Sequence, residues 1–416
     1  MAEHVIGKSK IKQGNISISG TKFILALQHL IAMFGATVLV PILTGFNPSV
    51  AIFSAGCGTL IFHLCTKGKV PVFLGSSFAF IPVILTVSNL YNGDLAYAQG
   101  GIIVAGLVYC LFSLIVYKIG LDKIKKLLPA QVVGPMIMVI GMNLLPTAID
   151  MASSQFVLAG ITLGLALLIR FKGKGIIGQL SIIIAVTIGY LVALGTNQVD
   201  LSLITEASFL SVPSFQTPKF DFGAIVIIAP IVLAVFMEHI GDVTTNGQVT
   251  GNNFIKDPGL HRTLLGDGLA TMFAGFVGGP ANTTYGENTG VLAITKNYDP
   301  STLRLTAVLA IILAFVGKLG GVLSSIPSSV MGGISIMLFS MISIIGVQTI
   351  KNENVKFNYK NIIIMATILI LGLGSGYLSE LLNIEIGISL GENVSISGLS
   401  FAAIVGIILN LILNRK

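Results

Sequence analysis

The sequence predicts an all-α polytopic membrane protein of fourteen transmembrane segments, arranged as a 7+7 inverted repeat with short β-strands in spans 3 and 10. Three observations predict it. The 416-residue chain is 54% hydrophobic and 10% charged, with a mean hydropathy of +0.92, whereas soluble domains carry about 25% charged residues. Apolar runs recur along the whole chain, most of them near the ~20 residues that cross a bilayer. Two glycine-containing, β-prone stretches interrupt those runs at matching places in the two halves.

Composition narrows the class further. The 48 glycines suit membrane helices. Tryptophan is absent, so an interfacial belt must use Tyr and Phe. The net charge of +7 does not indicate nucleic acid, because the basic residues stand singly between apolar runs. Cys57, Cys65 and Cys110 lie in apolar segments and form no metal or disulfide spacing. Residues 1–20 lack an apolar core, which predicts no cleavable signal peptide; the first span then directs insertion.

The runs centre near residues 33, 57, 80, 107, 138, 162, 185, 230, 270, 291, 315, 338, 371 and 405. Those at 23–43, 97–117 and 362–382 are continuous, while 70–88 and 283–296 are short or broken. Numbered from an inside N-terminus, the inside segments hold all of the 24 basic residues except Lys219 and Lys318. The outside connections carry acids: Asp94, Asp150, Asp200, Glu206, Glu380, Glu385 and Glu392. This alternation predicts cytoplasmic termini by the positive-inside rule. The stretch 195–221, with Pro213 and Pro218, reads as a surface loop.

The repeat shows in side chains. "LQHLIAMFGATV" (27–38) matches "MEHIGDVTTNGQV" (237–249), with Gln28-His29-Leu30 against Glu238-His239-Ile240. About fifty residues on, "VFLGSSFAF" (72–80) matches "NTTYGENTG" (282–290). Halves of seven spans must be inverted, because seven is odd. Inverted repeats with interrupted spans point to a transport site near the bilayer midplane. Extended backbone at that depth must be paired or must line a cavity. Chance agreement, with the glycines as packing contacts, is the bland alternative.

Of 17 acidic residues, Glu238, Asp242, Asp267 and Glu287 fall inside predicted spans. A charge at the bilayer centre costs about 2.5–3.5 kcal/mol on insertion scales, so such groups face a cavity or a partner. Glu238 and Asp242, four residues apart, share a helix face. Capping a broken helix or pairing with a cation is the structural alternative, and no Lys or Arg lies near in sequence. Asp267 suits a hydrogen bond to a broken helix as well as a direct role. His29 and His239 read as ligands, proton carriers or bonded core residues, while His63 and His4 carry no predicted role. "MEHIG" is not the His-Glu-x-x-His zinc pattern, and "LLGDG" offers no second aspartate for a protease dyad. The sequence therefore predicts no enzyme and no cofactor.

With "YGENTG" and "EHIGD" the chain resembles the nucleobase–ascorbate transporter family (nucleobase:cation symporter-2), and within it the bacterial members that carry uracil. The similarity runs nearly end to end, through "LQHLIAMFGATVLVP" (27–41), "GSSFAFIPV" (75–83), "DPGLHR" (257–262), "NTTYGENTGVLAITK" (282–296) and "SSIPSSVMGGIS" (324–335). The family signature is acidic or amide, Asn, any residue, Gly, four variable residues, Thr, then basic or Gly. Glu287 to Lys296 matches it completely.

The resemblance implies a core domain of spans 1–4 (23–117) and 8–11 (222–320). A gate domain would comprise spans 5–7 (118–194) and 12–14 (321–416). Around them lie a cytoplasmic N-terminus (1–22) and an extracellular loop (195–221). It implies uracil as substrate, proton symport by alternating access, a homodimer and the inner (cytoplasmic) membrane. By position, substrate contacts fall on Glu238, Glu287, Phe78, Tyr285, Gly286 and Ala36. The resemblance ties the place of Asp242 to proton coupling, and the buried-residue reading adds Glu238, Asp267 and, in a supporting position, His29. One departure is notable: uracil members carry His four residues after the span-8 Glu, and this chain has Asp242. That feature resembles the purine branch and leaves a xanthine, urate or broader purine symporter as the alternative.

The residue chemistry suits a pyrimidine. Uracil offers two ring N–H donors and two carbonyl acceptors, and a carboxylate only accepts. Glu238 and Glu287 fit the N–H groups. Backbone N–H groups at Phe78 and Gly286 fit the carbonyls, and Phe78 or Tyr285 fits the ring face.

Overall fold

A computed structural model describes residues 20–120, 128–382, 386–389 and 395–414. Several predicted features lie outside the described residues: most of the N-terminus, Lys123, Lys125, Lys126, Glu385, Glu392 and the last two residues.

The first half comprises α1 (Gly20–Thr44), α2 (Pro48–Cys65), β1 (Leu74–Ser76), α3 (Ile81–Leu90), α4 (Leu95–Ile119), α5 (Ala130–Ser153), α6 (Phe156–Lys172) and α7 (Ser181–Gly195). The second comprises α8 (Phe222–Thr250), α9 (Leu260–Val277), β2 (Asn282–Thr284), α10 (Gly286–Thr295), α11 (Pro300–Ala314), α12 (Ser328–Asn352), α13 (Tyr359–Leu382) and α14 (Gly398–Leu413). A 3-10 turn at Ala229–Ile231, around Pro230, interrupts α8. Helices α1, α2, α4, α5, α8 and α12 are long and apolar enough to cross a membrane.

Local sequence sets several helix starts. Asn47 accepts from Ser49 and Val50 N–H at 2.9 and 3.2 Å, with Pro48 in the first turn of α2. Asp299 accepts from Ser301 N–H at 2.9 Å, with Pro300 opening α11. Such caps satisfy N–H groups that the helix cannot. Helix α9 packs against α2 and α4, α11 against α2, and α12 against α5. Two crossings are tight enough to require glycine. A Cβ on Gly106 of α4 would lie 2.6 Å from the Gly268 carbonyl, and one on Gly346 of α12 would lie 2.5 Å from that of Gly134. Small residues let membrane helices meet this closely. Leu107, Leu111 and Leu114 of α4 are exposed, as befits a face turned to lipid.

Strands β1 and β2 pair antiparallel, with Leu74 opposite Thr284, Gly75 opposite Thr283 and Ser76 opposite Asn282. The ladder extends through Ser77 N–H to Ala281 O (2.8 Å) and Tyr285 N–H to Phe73 O (3.0 Å). Flanking side chains complete it. Thr59 Oγ1 accepts from Leu74 N–H at 2.9 Å, and Asn282 Nδ2 donates to Ser54 O at 3.0 Å. The interrupted backbone is thereby paired, as a low-dielectric surrounding demands. His63 belongs to this scaffold, with Nε2 3.0 Å from Val72 O, although the sequence assigns it no role. A second antiparallel pair, β3 (Gly387–Ser389) with β4 (Ser395–Ser397), precedes α14 and is not anticipated from sequence.

The two exceptions to the charge alternation both have partners. Lys219 Nζ lies 2.7 Å from Asp94 Oδ2. Lys318 Nζ donates to the carbonyls of Ile204 and Thr205 at 2.7 and 3.0 Å. The stretch 195–221 is a loop containing one helical turn, Ser202–Thr205.

Candidate functional site

Two chain interruptions build the site. Phe78 opens a 3-10 turn directly after β1, and Gly286 opens α10 directly after β2. The antiparallel ladder is only three residues long, so the two starts leave from its opposite ends, yet Phe78 and Gly286 line one cavity, and neither start has a side-chain cap. Their free N–H groups and dipoles make that region attractive to acceptors. Helix α8 crosses it with Glu238 and Asp242 one turn apart.

A cavity of about 230 Å³ lies here, lined by Phe78, Glu238, Asp242, Tyr285, Gly286 and Glu287. Its volume lies below the ~300–1,000 Å³ of drug-sized pockets, so it suits a small ligand. Glu238 is exposed, and Asp242 and Glu287 are partly so; the carboxylates face open space, not packed protein. A larger cavity of about 820 Å³ shares Phe78, Glu238 and Asp242, and runs beside α12 to Asn352 and Asn358. Those last residues lie in the segment predicted to be cytoplasmic.

Thr284 Oγ1 donates to Asp242 Oδ2 at 2.8 Å, linking β2 to α8. Tyr285 is pinned: its hydroxyl donates to Ser76 O at 2.9 Å, and a Cβ on Gly75 would lie 2.4 Å from its ring. At 4% exposure it serves the strands more than the cavity. Phe78 is half-buried and lines both cavities, so it offers the more available aromatic face.

Signature residues act as anchors. Asn288 Nδ2 donates to His29 O at 3.1 Å and faces His29 Nδ1 at 3.2 Å. Asn246 Nδ2 donates to Thr289 Oγ1 at 3.2 Å and to Pro71 O at 2.9 Å. A Cβ on Gly290 would lie 2.6 Å from Gln179 Oε1, so Gly290 admits that side chain.

Three predicted residues stand apart from the cavity lining. Ala36 is buried in α1. His29 is buried against Asn288. Asp267 is buried with Oδ2 3.2 Å from His239 Nδ1. Conversely, the cavity wall includes Arg170, Gln179, Met337 and Met341, which sequence reasoning did not select. Arg170 reads as an inside-loop charge, and Met337 and Met341 read as ordinary apolar residues of a span. Only the fold brings them opposite Glu287.

Known proteins share this architecture. Residues 20–381 match the Permease family. A uracil permease of Bacillus caldolyticus is 40% identical over 405 residues, covering 94% of this chain and 91% of the relative. The Escherichia coli K12 uracil permease is 37% identical over 401 residues, covering 93% and 90%. Among solved structures, the transmembrane domain of the cyanobacterial bicarbonate transporter BicA superposes with a TM-score of 0.63 at 14% identity, covering 95% of this chain and 97% of that one. Murine Solute Carrier 26 family member A9, an anion transporter in the inward-facing state, gives 0.69 at 10% identity, covering 98% and 69%. The last two likenesses concern the fold alone.

The matching family and the uracil permease relatives are transporters and not enzymes, which puts the chain among multi-pass membrane transporters. The chain belongs to the Permease family.

Proposed function

We propose that the chain is a proton-coupled symporter that imports uracil across the cytoplasmic membrane by alternating access. The observation that carries this reading is the shared cavity, where Glu238 and Glu287 face one small space beside two uncapped helical starts. The uracil permeases to which the chain is similar supply the substrate class.

In this reading the two carboxylates accept the ring N–H groups. Backbone N–H groups at Phe78 and Gly286 meet the carbonyls, and Phe78 covers the ring. Asp242 holds a proton beside Glu238, with Asp267 and the His29–Asn288 contact behind it. Neighbouring acids are costly when both are charged, so a proton on one of them favours substrate binding and the inward step. Fourteen spans in a 7+7 inverted repeat would divide into core (23–117, 222–320) and gate (118–194, 321–416). The packing of α9 on α2 and α4, and of α12 on α5, supports that division. The larger cavity, which runs to Asn352 and Asn358 in the segment predicted to be cytoplasmic, supports an inward-open state. Cytoplasmic termini and a homodimer complete the proposal.

Replacing Glu287 by Gln tests it, since the amide keeps the shape and weakens the acceptor. A hydrogen bond to a charged group is worth about 1.5–3 kcal/mol, so labelled uracil should bind roughly 10–100-fold more weakly. Unchanged binding would refute the assignment. A purine symporter is the second reading, favoured by Asp242 where the uracil branch carries His.

A further inference from the structure

The environment of His239 determines more than its position. Its Nε2 lies 2.9 Å from Thr263 Oγ1. That hydroxyl already donates its proton to Leu260 O at 2.9 Å. With its one hydrogen given to Leu260, Thr263 accepts from His239, and this arrangement assigns the hydrogen to Nε2. Nδ1 then faces Asp267 Oδ2 at 3.2 Å. Both side chains are fully buried, and Nδ1, Oδ1 and Oδ2 have no hydrogen-bond partner among the described residues, so the two groups meet at ion-pair distance only.

A neutral imidazole with Nε2–H opposed to a carboxylate would set two lone pairs against each other in a dry interior. Buried polar groups are seldom left so. One added proton resolves the clash, whether it sits on Nδ1 or on Oδ2. We propose that His239 and Asp267 form a buried site holding one shared proton between α8 and α9, directly behind the cavity acids. The other titratable groups within electrostatic reach of Asp267 are Tyr109 on α4 and Glu238 and Asp242 on α8. Among the described residues the basic partner of Asp267 is His239, and the Phe62 ring of α2 faces His239 at 6.5 Å.

His29, at the matching place in the other half, obeys the opposite logic. The nitrogen of the Asn288 amide is fixed by its bond to the His29 carbonyl, so His29 Nδ1 is an acceptor and holds no such proton. The two repeat-related histidines thus differ: His29 is a neutral contact, and His239 is half of a proton site. His239 lies beside Glu238 in the chain, so the shared proton also fixes the turn of α8 that presents Glu238. This deepens the proton-coupling role proposed for Asp267 and rests on that reading only for its use in transport.

The test uses the full-length protein in lipid, without substrate, labelled with 15N-histidine and 13C-aspartate. The His239 signal is assigned by its loss in His239→Gln or, if that variant does not fold, by its through-space coupling to the Asp267 carboxyl carbon. At neutral pH the expected result is protonated Nε2 with either a protonated Nδ1 or a carboxylic-acid signal from Asp267. A neutral imidazole beside an ionised Asp267 would overturn the proposal. Because no substrate is present, this outcome is separate from the success or failure of the uracil reading.

Discussion

Thr284, the last residue of β2, donates a 2.8 Å hydrogen bond to Oδ2 of Asp242 on α8. The strand that interrupts the second half is thus fastened to the helix that carries Glu238. The same contact orients Asp242 one turn from Glu238. Thr284→Val removes the hydroxyl at nearly constant volume. A typical hydrogen bond is worth about 1 kcal/mol net, so we expect roughly fivefold weaker uracil uptake with normal abundance in the membrane. Thr284→Ser should restore it. Equal uptake by the Val and Ser variants would show that the contact is idle.

Two glycines near the site should respond in opposite ways. A Cβ on Gly75 would lie 2.4 Å from the Tyr285 ring, which Ser76 holds in place. Overpacking of this kind costs about 1–3 kcal/mol, so Gly75→Ala should lower the thermal midpoint and the amount in the membrane. A Cβ on Gly286 would meet nothing nearer than Asp242 Oδ1, at 3.8 Å. Gly286→Ala should therefore fold normally yet place a methyl group in the cavity and cut uptake at least tenfold, by a rough steric argument. Melting curves and uptake on the same preparations separate the two effects.

The ion pair at the predicted outer face supplies a pH control. The hydrogen bond from Lys219 holds the Asp94 carboxyl below its usual range. A depressed carboxylate contributes stability above its unfolded pKa, and that contribution is lost as pH falls through the folded value. Asp94 therefore stays ionised around neutral pH and cannot shape a transport profile there. Asp94→Asn should leave the dependence of uptake on external pH unchanged between about pH 6 and 8, since exposed pairs contribute little. A displaced profile would place proton coupling at the outer surface instead of the cavity.

Much of the scaffold was readable because its causes are local. Apolar runs and the glycine-containing stretches that become β1 and β2 depend on near neighbours. The four-residue spacing of Glu238 and Asp242 places them on one face whatever else happens. What was not readable depends on residues distant in sequence. Nothing near Glu287 in the chain announces Arg170, and the apolar pattern of α12 conceals that Met337 and Met341 face a cavity. The Asp267–His239 contact joins two helices whose relative rotation no periodicity specifies. The pair of β3 and β4 consists of strands of three residues, too short for an alternating pattern to declare itself.

Asp242, where the resemblance to uracil carriers implies His, makes substrate choice the question to test first. Labelled uracil uptake in cells lacking their own permease, with excess unlabelled xanthine and with a protonophore in parallel, addresses it most directly. The account predicts saturable uracil entry, no competition by xanthine, and loss of accumulation with the protonophore. Competition by xanthine, or uracil entry indifferent to the proton gradient, would contradict it.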